Sequence, residues 1–301
     1  MSGALSAPAV SVVVPTVHRV RLLERCLQGL AAQENVDFEV LVVHDGDPRI
    51  IDLLGAWKSR LPLRALEIEA RSASAKRNAG WRHAKAPVIA FTDDDCEPAP
   101  GWLSEALPVL EDPAVALVQG KVLAHPDDVR VQGHYARTIE VTAPLPTYPN
   151  ANLVFRKATL EAVGGYDEQL SSGEDTDLAW RVLDRGGRPA FVESALVWHA
   201  VRRVDFVAHL RSLPRWRSLP EVVRRHPQLR ELAHRKVFWK DTHPKAWLAL
   251  AGLALSVASP ASLVLAAPHV AARRHPGLLV SDWTECLVMA GGSLRAKSVL
   301  L

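Results

Sequence analysis

Asp93-Asp94-Asp95 closes a run of apolar, largely β-prone residues, Val88-Ile89-Ala90-Phe91-Thr92. Three adjacent carboxylates repel one another and form strand poorly, so a triplet where a buried strand should leave its sheet suggests a cation holding it. Hard oxygen ligands favour Mg²⁺ or Mn²⁺, ions that commonly bridge to phosphates. A solvated acidic turn capping the next helix is the plainer account of the triplet taken alone. A second acidic group, Glu174, Asp175 and Asp177, opens a helix-period segment behind Ser171-Ser172-Gly173. Acidic residues suit the first turn of a helix through its dipole. Their chemical reading is that one carboxylate takes a proton from an acceptor hydroxyl as that hydroxyl attacks an activated carbon. His199 ends the apolar run Ala195-Leu196-Val197-Trp198 and could join a metal already held by carboxylates.

The elements that must position these groups alternate β-like apolar runs with helix-period segments, the pattern of βαβ units and a mostly parallel sheet. Strands are expected at Val10–Val14, Phe38–Val43, Leu63–Ile68, Val88–Thr92, Val115–Val118 and Asn152–Phe155, with the last at Ala195–His199. Leu22, Leu23, Cys26, Leu27 and Leu30 share one helical face, and Ser72 or Ser74 could cap a helix carrying Lys76, Arg77 and Asn78. In open α/β sheets ligands bind at the carboxyl ends of the strands. Pro15-Thr16, Asp45 and Asp93–Asp95 all fall at such ends, so separate strands deliver polar groups to one rim. Lys76 and Arg77 could bring positive charge there for a diphosphate, although an exposed helix face would also explain them. No Gly-rich phosphate loop of Walker or dinucleotide type is present, which argues against a kinase-like ATPase and an NAD enzyme.

Residues 120–150 read as an irregular, acceptor-facing excursion, with Gly133, Pro126, Pro144, Pro146 and Pro149. The charge is uneven: residues 1–200 carry 20 Lys/Arg against 27 Asp/Glu, residues 201–245 carry 12 against 4, and residues 246–301 carry 4 against 2. An acidic head therefore meets a basic neck. Residues 246–272 contain no charged side chain, enough length for a membrane-crossing helix, but Pro260 interrupts the run. A transmembrane segment, a surface-lying hairpin with Leu278–Met289 as its second arm, and a buried helix pair all remain open; the hairpin is favoured. The basic neck would be drawn to anionic lipid, and this partner is expected in preference to nucleic acid. Cys26, Cys96 and Cys286 have neither metal-ligand spacing nor a disulfide pattern, and Met1–Val10 lacks the features of a signal peptide. A cytoplasmic location, or the cytoplasmic face of the cell membrane, is expected.

Together, Val12–Thr16, Val42-Val43-His44-Asp45-Gly46, Ala75–Gly80, Phe91–Asp95, Gly164-Gly165-Tyr166-Asp167-Glu168, Gly173–Asp177 and Trp198-His199 resemble the family 2 inverting glycosyltransferases of GT-A fold, across about residues 10–200. The resemblance implies a Rossmann-like, mostly parallel α/β sheet flanked by helices over residues 1–201, followed by a basic neck at 202–245 and an apolar helical hairpin at 246–301. It implies a nucleoside-diphosphate-sugar donor, a hydroxyl acceptor and a divalent cation, Mg²⁺ or Mn²⁺. Pro15, Thr16 and Asp45 would line the donor's base and ribose, with Lys76, Arg77 and Asn78 there or at the diphosphate. Asp93 would approach the ribose and Asp95 the metal, with His199 a further ligand and Asp94 able to substitute for either neighbour. Asp175 matches the catalytic base, beside Glu174; Asp177 and Trp180 would face the acceptor. His44 and Gly46 around Asp45 depart from the family's usual pattern of a second acidic residue there. The alternatives are a nucleotidyltransferase acting on sugar phosphates and a non-catalytic, membrane-associated nucleotide-sugar-binding module.

Overall fold

The computed structural model describes residues 7–69, 72–128, 130–131 and 133–301. The expectation for the first residues of the chain, and positions 129 and 132 of the irregular segment, lie outside the described residues. The chain divides into two compact units. The first takes Met1–Val131, Arg137–Glu168 and Asp175–Arg202, and the second takes Gln132–Ala136, Gln169–Glu174 and Arg203–Leu301.

The first unit is an eight-stranded mixed sheet in the order β3-β2-β1-β4-β7-β6-β8-β5. Its strands are β1 (Val10–Pro15), β2 (Phe38–His44), β3 (Leu63–Glu67), β4 (Val88–Phe91), β5 (Cys96–Pro98), β6 (Val115–Ala124), β7 (Leu153–Arg156) and β8 (Arg188–His199). β3, β2, β1 and β4 run parallel, β7 is antiparallel to β4 and β6, and β8 runs parallel to β6. The carboxyl ends of β1, β2, β4 and β8 and the amino end of β7 therefore share one edge. Val10, Val12, Val13, Val14, Val40, Leu41, Val42, Val43, Ile89, Ala90 and Phe91 are fully buried. A strand covered on both faces is apolar along nearly all its length, which is why these runs read so clearly in the sequence; Ser11 and Glu39 are buried by pairing with each other at 2.8 Å.

Helix α1 (Val20–Ala31) buries Leu23, Cys26, Leu27 and Leu30 as their spacing requires. Helix α2 is Pro48–Trp57. Helix α3 (Ala73–His83) starts at Ser72, whose hydroxyl accepts from the Ala75 N–H at 3.2 Å. Its face carrying Lys76, Arg77 and Asn78 is buried rather than exposed. Helix α4 (Trp102–Ala106) is cut short because Pro108 turns the chain into a 3-10 segment. Helices α5 (Lys157–Val163) and α6 (Glu174–Leu183) complete the series up to β8.

Three sequence expectations are corrected. Residues 120–124 are strand, not part of the irregular excursion: β6 continues along β8 to Ala124, with a register shift between Gly120 and Lys121. Gly120 interrupts the apolar pattern there because a Cβ would strike the Asn152 amide and the Ala195 carbonyl. β8 begins seven residues earlier than expected, since its first half, largely unburied, lacks a continuous apolar signal. β5, immediately after the Asp triplet, was hidden because three residues with a proline carry no periodicity.

The second unit holds α7 (Phe206–Ser212), α8 (Leu219–Arg225), α9 (His243–Leu255), α10 (Ala267–Arg273) and α11 (Pro276–Ala296). Residues 246–272 are broken: α9 ends at Leu255 and Pro260 opens a 3-10 stretch. Among the described residues no helix is long and apolar enough to cross a membrane, so the transmembrane reading of this run is set aside. α11 contains the expected second arm and packs against α9, α8 and the 213–218 turn.

Candidate active site

The rim of the first unit is built where its strands end. Pro15 is the last residue of β1, paired with Val43 of β2. Thr16 follows, fully buried, and its hydroxyl donates to Asp94 Oδ2 at 2.7 Å. Asp45 lies just past β2; its Oδ2 is 3.7 Å from Lys76 Nζ, while its buried Oδ1 has no partner among the described residues. A buried carboxylate oxygen left unpaired is costly, so it marks a place where a ligand hydroxyl or amine would be welcome.

Lys76 is fully buried, and its ammonium donates to the Thr16 carbonyl at 2.7 Å. It is a strut between β1, β2 and α3, which corrects the expectation of an open diphosphate contact. Burial holds its pKa below the usual lysine value despite the pull of Asp45. Asn78 is corrected more fully, because both ends of its amide are consumed. Its Nδ2 donates to the Tyr166 carbonyl and to Glu168 Oε1, and its Oδ1 accepts from Trp81 Nε1 and the Tyr166 N–H, all within 2.9 Å. It clamps the Gly165-Tyr166 turn onto α3. Gly165, at φ +77°, is required there because a Cβ would run into Asn78 and Trp81.

The three aspartates have different surroundings. Asp93 is partly exposed, and Arg77 Nη2 donates to it at 2.6 Å. Burial pushes its carboxyl up, but the Arg77 guanidinium, helped by Arg19, outweighs this and holds it below the usual aspartate value. Asp94 is fully buried against Thr16 and the Arg19 guanidinium, 2.7 Å away; desolvation dominates and pushes its carboxyl up to about 7. Asp95 receives Arg19 Nη1 at 2.6 Å, with Arg202 Nε at 3.5 Å and His199 Nε2 at 3.6 Å. The mutual repulsion that suggested a metal is thus met largely by three guanidiniums. Arg19 and Arg202 were missed in the sequence, although they lie five and three residues beyond predicted strand ends.

A metal must be judged on the donor set. His199 Nδ1 lies 2.9 Å from the Ala200 carbonyl, an arrangement that fixes the proton on Nδ1 in the neutral ring. The Nε2 lone pair then faces Asp95 Oδ1. Two lone pairs directed at each other across 3.6 Å suit a shared cation; the carboxylate favours Mn²⁺ or Mg²⁺, while the imidazole would equally accept a softer ion. Asp95, Cys96 and His199 bring their ligand atoms within 4.8 Å of one another. Burial pushes the Cys96 thiol well above its ordinary value, so it stays protonated and is a poor ligand for a hard ion.

Asp175 reaches the same rim through unbroken contacts. Its Oδ2 accepts from the Asn150 N–H at 3.3 Å and its Oδ1 from the Thr176 N–H at 2.8 Å. The Asn150 side chain accepts from the Tyr166 hydroxyl at 2.6 Å, and Arg77 lies over the Tyr166 ring at 5.7 Å before reaching Asp93. Thr92, next to the triplet, donates to the Ala151 carbonyl at 2.9 Å. Asp175 is thus linked to the triplet by a relay of side chains, through Asn150, Tyr166 and Arg77, along the edge where β4 ends and β7 begins. Glu174 precedes Asp175 at the start of α6 and falls in the second unit. Asp177 is fully buried and pairs with Arg181 Nε at 2.8 Å, while the rest of that guanidinium holds the Val163 and Gly165 carbonyls. Facing inward, it fastens α6 to the glycine turn and is corrected as an acceptor contact. Trp180 is half-buried and donates to the Pro146 carbonyl at 3.0 Å, so it supports the excursion rather than standing open on it.

The sequence profile described as Glycosyl transferase family 2 matches residues 11–165, and the chain belongs to that family. It is 30% identical over 203 residues to a pre-mycofactocin glycosyltransferase of Mycobacterium tuberculosis, covering 63% of this chain and 42% of that one. The chain thus spans less than half the length of that relative. With a validoxylamine A glucosyltransferase of Streptomyces hygroscopicus it shares 28% identity over 286 residues, 81% of this chain and 66% of the other. Its fold is similar to that of a mannosyltransferase from Pyrobaculum calidifontis solved with GDP-Man and Mn²⁺, at TM-score 0.69 and 21% identity, covering 97% of this chain and 88% of that one. Staphylococcus aureus TarS, solved with UDP-GlcNAc, follows at TM-score 0.56 and 16% identity over 96% and 92% of the two chains.

Proposed function

We propose that the protein transfers a sugar from a nucleoside-diphosphate sugar to an acceptor hydroxyl, inverting the anomeric carbon. The observation that carries this reading is the meeting, at one sheet edge, of Asp45 with its unpartnered oxygen, the Asp93–Asp95 and His199 group, and Asp175. The family membership supports it over the nucleotidyltransferase and non-catalytic alternatives.

In this reading Pro15, Thr16 and Asp45 border the nucleoside, and Asp45 Oδ1 accepts from it. Arg77 holds Asp93 beside the ribose. Asp95 and His199 would hold a divalent cation, Mg²⁺ or Mn²⁺, which supplies charge neutralisation for the departing diphosphate. Asp175 takes the acceptor's proton, its carboxylate held by the Asn150 and Thr176 N–H groups. The acceptor oxygen bonds to the anomeric carbon as the bond to the diphosphate breaks on the other side. Asp175→Asn keeps the shape and removes the base, so turnover should fall about 10²- to 10⁴-fold with donor affinity retained. Release of nucleoside diphosphate with Mn²⁺ present, measured beside a donor titration, tests this; loss of both together would assign Asp175 a structural role.

The cytoplasmic face of an anionic membrane is the proposed location, and the apolar surface of α9 supports the contact with lipid. Its small residues Ala246, Ala249 and Gly252 face inward, while Leu248, Leu253 and Leu255 are 41%, 53% and 55% exposed. Val257 and Val264, in and after the following bend, are 94% and 70% exposed. That is the reverse of a helix packed for water alone, and lipid would cover it. Val257→Asp with Val264→Asp should abolish co-sedimentation with anionic vesicles; unchanged sedimentation would refute the contact.

A further inference from the structure

Within the second unit a cavity of ≈450 Å³ is walled by Leu170, Ser218 and three arginines, Arg217, Arg225 and Arg295, against the single carboxylate of Glu221. Glu221 is already engaged: it accepts from Arg224 at 2.7 Å and from Arg225 at 2.8 Å, and the Arg224 bond leads in holding its carboxyl down to about 2. Arg217 and Arg295 make no hydrogen bond or ion pair with any described residue, so their charge is open to the cavity. Unpaired guanidiniums around one concavity are the arrangement that receives a phosphate, because the planar fork matches two of its oxygens at once. The wall is fixed. The Ser171 N–H donates to Ser218 Oγ at 3.0 Å, and the Ser171 hydroxyl donates to the Arg215 carbonyl at 2.8 Å. This pins the 169–174 strap.

We propose that this cavity binds a phosphate ester, presented either on a lipid surface or on a soluble compound. The site stands on the cavity and its arginines and does not rest on the glycosyl-transfer reading.

The test uses the full chain and binding, without turnover. Inorganic phosphate and glycerol 3-phosphate are titrated by calorimetry, and vesicles of phosphatidylglycerol in phosphatidylcholine by sedimentation. Arg217→Gln with Arg295→Gln should weaken binding at least tenfold. Since neither side chain has a partner to lose, the thermal midpoint should not move. Arg211→Gln with Arg203→Gln, the same charge change outside the cavity, should leave binding of inorganic phosphate and glycerol 3-phosphate within twofold. Loss confined to the vesicle arm assigns the phosphate to a lipid, and loss in the soluble arm to a free ester. Equal loss in both variant pairs, or no saturable binding in either arm, overturns the proposal. A Mn²⁺-dependent thermal shift with nucleotide sugar reads the donor site separately, so the two readings fail independently.

Discussion

Asn78 decides between a ligand contact and a clamp. The sequence expectation puts it at the donor; the structure buries it to 1% exposure with its amide shared between α3 and the Tyr166 turn. Asn78→Ala leaves three buried groups without their partner: Trp81 Nε1, the Tyr166 N–H and the Tyr166 carbonyl. Each buried unsatisfied group costs about 1 to 3 kcal/mol, and partial recovery by water puts the total near the lower end, about 3 kcal/mol. Glu168 is exposed and adds little. Because Tyr166 supports Asn150, which donates to Asp175, the same change should lower turnover while donor affinity stays within about threefold of wild type. Urea unfolding followed by far-ultraviolet dichroism gives the stability, and a donor titration gives the affinity. A stability change under about 0.5 kcal/mol together with a large loss of donor affinity would refute the clamp and restore the ligand contact.

Two further outcomes are expected. Asp95→Ala should remove the Mn²⁺-dependent part of the thermal shift given by nucleotide sugar, and an undiminished metal-dependent shift would refute Asp95 as ligand. In the second unit, Asp282 is buried with Arg273 Nε at 2.6 Å and His269 Nε2 at 3.0 Å; burial pushes its carboxyl up, but these partners outweigh it and hold it below 3.8. Glu285, beside Lys240 and His243, lies below 4.5 by the same balance. Depressed carboxyls contribute stability that is present in full above their unfolded values and lost as pH falls through the folded ones. Acid unfolding of this unit should therefore set in below about pH 4.5, and Asp282→Asn should cost about 3 kcal/mol at neutral pH while flattening the acid limb. Parallel pH profiles for variant and wild type would refute the pairing.

The sequence by itself determined the strands buried on both faces, the amphipathic α1 and the carboxyl edge at which Thr16, Asp45 and Asp95 gather. Those features follow from local chemistry: apolar runs must be covered, and the residue after a parallel strand must emerge at the ligand edge. It also marked Asp175, through the resemblance its motif bears to a known family. Tertiary structure alone decided which polar groups are still available. Lys76, Asn78 and Asp177 have the residue types of a ligand site, yet each is consumed by a partner 60, 88 or 4 residues away; for Lys76 and Asn78 no local pattern records that saturation, whereas Asp177 and Arg181 stand at ordinary i,i+4 helix spacing. Arg19 and Arg202 become counter-charges only because β1 and β8 end at the same edge as β4. The outward-facing leucines of α9 likewise depend on which side of that helix meets its neighbours, a choice made by packing of its small residues.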